Sequence, residues 1–466
     1  MKRFLIFLLI LPLLLCGCQT EPTPLPPANF TGTVEGYTYY HESERDRKWE
    51  EDIITLAELY VTQHPWLVND TTHQICMESY ASTISRAWVN QYIPEKYDIF
   101  LSGINQLIPR IPEYNDNIIQ WELQRVFASL GDCHAAVFPN VDETFPLRFF
   151  FFHCEDGMSI VTVSAPTALN HLLYTQLTAI NSIPIEEILE RMRPYSSFPL
   201  EEGFLYEAVC EVNATPLLIQ PYLLQTIGIL DVDSLTADFT FLTDSGEFIT
   251  ETITAISSEE LDSVDFIDHS IVNQLQYSFS TWNEENLWME YLEEKRTLYV
   301  RIYSFRDDEA EPMLQIVSSI RKLLTKEESI DKFILDLRCN PGGHPPDGYN
   351  GLINLMGNEK VKQPYILINE GSFSMSALAV YNARTEVPHV LVMGAPSGQE
   401  LPCGTSNGNK PNVPNHQIRC GIPGSYVVAK AENVPDRIVP DILIYPTLDD
   451  YKNGVDTLLE AVLDME

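Results

Sequence analysis

The chain has 466 residues, with 66 Asp+Glu against 29 Lys+Arg and a formal net charge of −37. Hydrophobic residues make up 45% and charged residues only 20%. These are the proportions of a folded globular protein, so a disordered acidic chain is excluded despite the charge. The same balance argues against a nucleic-acid partner and against basic-patch binding to anionic lipid, and the length allows about three domains.

Lys2 and Arg3 precede an apolar run from Phe4 to Leu15, broken only by Pro12. The run is too short to cross about 30 Å of hydrocarbon as a helix. A basic start followed by a short apolar stretch reads as a secretory leader. It ends Leu15-Cys16-Gly17-Cys18, which resembles the bacterial lipobox. That resemblance implies acylation of Cys18, with Cys16 as the competing position. The expected location is the extracytoplasmic face of a bacterial membrane, with the membrane reached through the lipid anchor. Gln19 to Asn29 is Pro-rich and aperiodic, which suits an extended tether. The tether is expected to reach about residue 44.

From 45 to 134 the pattern is helical. Trp49, Ile53, Leu56, Leu59 and Tyr60 recur at three- and four-residue steps, and similar runs are expected over 74–92 and 117–130. From 135 to 284 short β-rich runs dominate: Leu147–Phe152, Ser159–Ser164 and Thr175–Asn181, then a helix over Ile185–Met192. Ala237–Leu242 and Glu247–Ile253 alternate around Asp244-Ser245-Gly246, a hairpin turn. From 285 to 466 strands alternate with helices. Thr297–Tyr303, Phe333–Leu337, Tyr365–Ile368 and Val390–Met393 read as strands, and Met313–Leu324 and Gly454–Leu463 as helices. Near-continuous apolar strands separated by helices predict an α/β sheet covered on both faces.

Seven cysteines lie beyond the leader: Cys76, Cys133, Cys154, Cys210, Cys339, Cys403 and Cys420. An odd number leaves at least one unpaired within the chain. Cys403 and Cys420 flank a Gly/Asn/Pro-rich loop and are a possible pair. No CxxC or HExxH spacing occurs, so no metal is expected.

Two segments carry chemistry. Asp336-Leu337-Arg338-Cys339-Asn340-Pro341-Gly342-Gly343 leaves a buried strand and enters a glycine turn, where main-chain N–H groups can converge on an oxyanion. Asn369-Glu370-Gly371-Ser372-Phe373-Ser374-Met375-Ser376-Ala377 joins a strand to a helix. A serine at such a junction is placed either as a nucleophile against the helix N-terminus or as an ordinary N-cap.

The two segments together resemble the tail-specific (C-terminal processing) serine peptidase family. So do Leu130-Gly131-Asp132-Cys133-His134, Val439-Pro440-Asp441-Ile442 and the Ala179–Ile188 segment around Ile180-Asn181, in consistent order. The resemblance implies a crotonase-like α/β catalytic core, an N-terminal helical subdomain and a mixed, PDZ-like middle region. Ser374 matches the nucleophile. Gly342 or Gly343, with the N–H of Met375, matches the oxyanion hole. One branch of the family places a Lys base 25 residues after the serine, where this chain has Gln399. The branch that includes tricorn protease uses an upstream His, which His134 matches. Its orienting carboxylate matches Glu432, with Asp436 as the alternative, and Asp132 is open to a structural role. Ser372 and Ser376 read as caps or supports, and His344 as a loop residue. A thiol nucleophile at Cys133 or Cys339 is the minor alternative. The resemblance thus implies a serine-type endopeptidase that acts on a peptide or protein substrate through a Ser–His acyl-enzyme and needs no cofactor. The competing reading is a non-catalytic peptide-binding or scaffold lipoprotein on the same fold.

Overall fold

A computed structural model describes residues 25–68, 76–79, 84–88, 92–154, 157–210, 216–268, 286–306, 310–387, 389–406, 411–429 and 436–465. Cys18, most of the Pro-rich run, Glu432, and the expected helical run outside its two described strands lie outside these residues.

The helix Glu44–Gln63 starts at Ser43, whose hydroxyl accepts from Asp46 N. It buries Trp49, Ile53, Leu56, Ala57 and Tyr60, the stripe that its three- and four-residue spacing predicts. These side chains pack with those of Pro94–Leu107 and Asp116–Ala128 in one apolar cluster. Ala28 and Phe30 join the same cluster, and Asn105 holds Phe30 through both its backbone N–H and carbonyl. The expected tether is therefore docked on the helices from Ala28 onward.

The run 74–92 was expected to be helical. Its described parts are the strands Cys76–Ser79 and Ile84–Trp88, which pair with each other. The second also pairs with Pro423–Ala429, far along the chain. Partners that distant override local helical spacing.

The middle region is a sheet in the order Phe248–Thr254, Thr236–Leu242, Gln176–Ile180, Gly157–Pro166, Phe266–Asp268, with Arg148–Cys154 also paired to Gly157–Pro166. The hairpin at Asp244-Ser245-Gly246 and the helix Ile185–Met192 fall where the sequence places them. Asn181 and Ser182 turn the chain in the left-handed region, at φ 48° and 64°.

The last third holds a six-stranded sheet in the order Leu287–Leu292, Thr297–Ile302, Ile330–Asp336, Val361–Ile368, Leu391–Gly394, Ile442–Leu443. The first pair is antiparallel and the remaining pairs are parallel. The helices Ala310–Lys326, Tyr349–Met356 and Met375–Glu386 contribute to the larger apolar cluster, and Thr457–Asp464 to a second one containing Tyr299, Ile334 and Leu367. Both faces are thus covered, which is why the strands read as unbroken apolar runs. The chain is a mixed α/β protein.

The helical subdomain is clamped to this region from a distance. Asp52, fully buried, accepts from Asn415 N at 2.9 Å and His416 N at 2.7 Å. The His416 ring stacks on Trp49 with centroids 3.9 Å apart. Tyr60 donates to the carbonyl of Gly421. Cys403 and Cys420 are free thiols, so the pairing that their flanking loop allowed does not form.

Candidate active site

Strands Ile330–Asp336 and Val361–Ile368 run parallel, with Asp336 opposite Leu367. Their carboxyl ends therefore release two turns side by side, the usual location of a site on an open α/β sheet.

The first turn is anchored by buried charge. The carboxylate of Asp336 accepts from Tyr299 Oη at 2.7 Å and from the Arg338 backbone N at 3.0 Å. It is also paired with Arg338 at 2.6 Å and Arg301 at 3.1 Å. Burial works to raise the Asp336 carboxyl, but the two guanidiniums outweigh it and hold the pKa at about 2. Arg338 reaches on to both oxygens of Asp456, each at 2.7 Å, and Asp456 caps the helix Thr457–Asp464. The Asp-Leu-Arg run is thus a strut rather than chemistry.

Beyond it, buried Asn340 donates through Nδ2 to Ile302 O at 2.8 Å, and its Oδ1 accepts from Gly342 N at 2.8 Å. Gly342 and Gly343 have φ of 95° and 119°. A Cβ on Gly342 would lie 2.4 Å from Ser374 Cβ, and one on Gly343 only 1.8 Å from Phe305 O. Only glycine fits at either position. The Gly342 N–H is committed to Asn340. Among the described residues, no acceptor takes the N–H of Gly343 or Met375.

The second turn carries Ser374, which has φ 55° and ψ −121° and makes no side-chain cap bond to the helix Met375–Glu386. A non-glycine residue in that region is strained, and a serine serving as N-cap would have extended backbone. The N-cap explanation therefore fails at Ser374. The turn is held from three sides. Ser374 N donates to Gln399 Oε1 at 2.6 Å, Phe373 N donates to Asn340 O at 2.9 Å, and Ser372 Oγ donates to Leu337 O at 2.8 Å. Ser376 sits 3.5 Å from the same carbonyl. Ser372 and Ser376 thus support the turn. Gln399 occupies the position where a Lys base would stand, and it holds the serine's main chain instead.

His134 arrives from the helical subdomain. After Asp116–Ala128 the chain turns at Gly131, φ 63°, and a turn closed by Ala135 N to Asp132 O at 2.8 Å presents His134. Its Nε2 lies 3.0 Å from Ser374 Oγ. Phe373 stacks on the imidazole with centroids 4.7 Å apart. Burial lowers the His134 pKa, and the Asp132 charge opposes this only in part. The ring is therefore neutral at pH 7 and able to accept a proton.

Asp132 stands behind it. Oδ1 accepts from His134 N at 3.0 Å and Gly404 N at 3.0 Å, and lies 4.0 Å from His134 Nδ1. Oδ2 is 3.2 Å from Nε2 of the buried His64, off the line of a straight hydrogen bond. Burial works to raise the Asp132 carboxyl, but His64 and His134 together bring it below the usual carboxylate value. His64 was not singled out in the sequence, because nothing in its local context marks it. Asp436 is exposed, and its carbonyl accepts from Leu401 N. His344 is an exposed loop residue. Burial pushes the Cys133 thiol well up, so it holds no thiolate at neutral pH. Cys339 is engaged with Asn369, at 2.7 Å through its N–H and 3.2 Å through its sulfur.

A cavity of about 80 Å³ lies beside the pair, lined by Trp121, Val137, Phe138, Phe198 and Phe373 among others.

No family model and no curated protein matches the chain by sequence. Among solved structures, mature CPAF complexed with lactacystin matches with a TM-score of 0.57 and 12% identity, over 91% of this chain and 98% of that one. Mature CPAF matches with a TM-score of 0.57 and 11% identity, over 91% and 96%. A CPAF mutant matches with a TM-score of 0.55 and 11% identity, over the same shares. At such identity the likeness is one of architecture, and across nine-tenths of its length the chain has the fold of mature CPAF.

Proposed function

We propose that the chain is a serine-type endopeptidase of the tail-specific kind, working through a Ser–His pair. The observation that carries this reading is the strained, uncapped Ser374 with its Oγ 3.0 Å from His134 Nε2. Ser374 attacks the peptide carbonyl while neutral His134 takes its proton. The N–H groups of Gly343 and Met375 receive the oxyanion, helped by the start of the helix Met375–Glu386. His134 then protonates the leaving amine, and water releases the acyl-enzyme. Asp132 holds the His134 main chain and its charge favours the imidazolium as it forms, while Cys133 Sγ stands 3.5 Å from Nδ1. The apolar cavity takes an apolar side chain of the substrate, and the PDZ-like middle region guides the peptide by strand addition. The basic, apolar leader ending at Cys18 supports a secreted, lipid-anchored enzyme facing away from the cytoplasm.

A fluorophosphonate probe tests the mechanism. It is expected to label wild type and to fail on Ser374→Ala and His134→Ala. Absence of labelling on folded wild type would instead favour the peptide-binding scaffold.

A further inference from the structure

Asp132, Cys133 and His134 are consecutive, yet the tight turn that carries them brings their donor atoms together. A carboxylate oxygen, the thiol sulfur and a ring nitrogen all lie within 4.8 Å of one another. Cys133 Sγ is 3.5 Å from His134 Nδ1, and Asp132 Oδ1 is 4.0 Å from the same nitrogen. Tetrahedral Zn2+, bonded at about 2.3 Å to sulfur and about 2.0 Å to nitrogen and oxygen, sets its ligand atoms about 3.3–3.6 Å apart. The sulfur–nitrogen edge already has that length. The oxygen–nitrogen edge needs to close by roughly 0.7 Å, a small side-chain adjustment.

The charges agree with this geometry. Among the described residues, the ion-pair partners of buried Asp132 are the imidazoles of His64 and His134. Oδ2 lacks a straight hydrogen bond, whereas Oδ1, the oxygen 4.0 Å from Nδ1, already accepts from two backbone N–H groups. A divalent cation with one carboxylate and one thiolate sums to zero, which removes the cost of burying any of the three alone.

We infer that Asp132, Cys133 and His134 form a Zn2+ site that switches the Ser374–His134 pair off. As the Zn–S bond forms, the Cys133 thiol releases its proton to solvent, and the carboxylate and the neutral imidazole bind without losing one. The metal takes the lone pair of Nδ1, so the ring proton resides on Nε2. Nε2 then faces Ser374 Oγ only as a donor and has no lone pair with which to accept the hydroxyl proton. A water completes the tetrahedron. Metal binding stands independently of the peptidase reading, whereas the switching rests on it.

Two measurements on the purified full chain test this. In competition with a chromophoric chelator, wild type and Cys154→Ala are expected to hold one Zn2+ that Cys133→Ala does not. The Cys154 variant controls for an exposed thiol. Co2+ in place of Zn2+ gives wild type a thiolate-to-cobalt absorption band. In the second measurement, Zn2+ slows fluorophosphonate labelling of wild type by about tenfold or more, and leaves Cys133→Ala at its own metal-free rate. Equal Zn2+ binding by wild type and Cys133→Ala, or wild type lacking the cobalt band, overturns the site. A bound Zn2+ with undiminished labelling overturns the switch. If no protein labels even without metal, the peptidase reading fails, and the chelator and cobalt measurements still decide the site.

Discussion

On the proposed mechanism, His134 sets the pH response of the site. Its pKa is lowered by burial, with Asp132 opposing only in part. The proposed base is the neutral ring, which persists to more acidic solution when the pKa falls. The rate of fluorophosphonate labelling is therefore expected to rise with pH through a midpoint below the ordinary His value of about 6.5 and to be flat above it. A midpoint above 6.5, measured by initial labelling rates, would contradict a buried neutral base. The sign for stability follows the same shift. Between the lowered folded pKa and about 6.5 the unfolded chain binds more protons, so this residue makes folding less favourable as pH drops through that window. Ser374 and His134 stand out in the sequence because each lies in a motif with a recognisable neighbourhood. The partners that fix them do not. Gln399 reads only as a missing lysine until its side-chain torsions bring Oε1 to Ser374 N. His64 has no local signature, since its meeting with Asp132 depends on how two distant turns pack.

At the scale of elements, the site depends on two turns being rigid. Arg338 bridges Asp336 and Asp456 with both carboxylates nearly or fully buried. Arg338→Met leaves two buried carboxylates without their main partner, at a cost of about 3–5 kcal/mol. The expected result is a strongly lowered unfolding midpoint in urea, and an unchanged midpoint would refute the strut. Gln399→Leu removes the acceptor for the half-buried Ser374 N, at a cost of about 1 kcal/mol. Because that donor belongs to Ser374, the proposed nucleophile, labelling is expected to slow along with the loss of stability. A stable variant that labels at the wild-type rate would show that Phe373 and Ser372 alone hold the turn. The parallel strands and their helices were legible because two-sided burial writes long apolar runs. The strands Cys76–Ser79 and Ile84–Trp88 were not, because their third partner is Pro423–Ala429 and local spacing carries no trace of it.

On the scale of the whole molecule, the rough division into three parts hides how the first part is gripped by the last. Asp52 in the first helix satisfies the backbone of Asn415 and His416, and Tyr60 reaches Gly421. Asp52→Ala leaves those N–H groups without their acceptor and loosens the seat of the helical subdomain. Labelling and thermal midpoint are expected to fall together, with the labelling loss larger than that of an equally destabilising change in the middle sheet, such as Phe239→Ala. Parallel losses in the two variants would show that the seat is not what sets the distance from Nε2 to Oγ.

His134 and Ser374 are 240 positions apart in sequence, and on the proposed mechanism this separation governs when activity first exists. A growing chain presents His134 long before Ser374 has been made. The strand that completes the sheet over Ile84–Trp88 comes later still. A nascent or unfolded chain thus lacks the proposed hydrolytic centre during synthesis. On the proposed mechanism, hydrolysis would begin only once the final third has closed against the first, so latency would follow from the order of the chain itself.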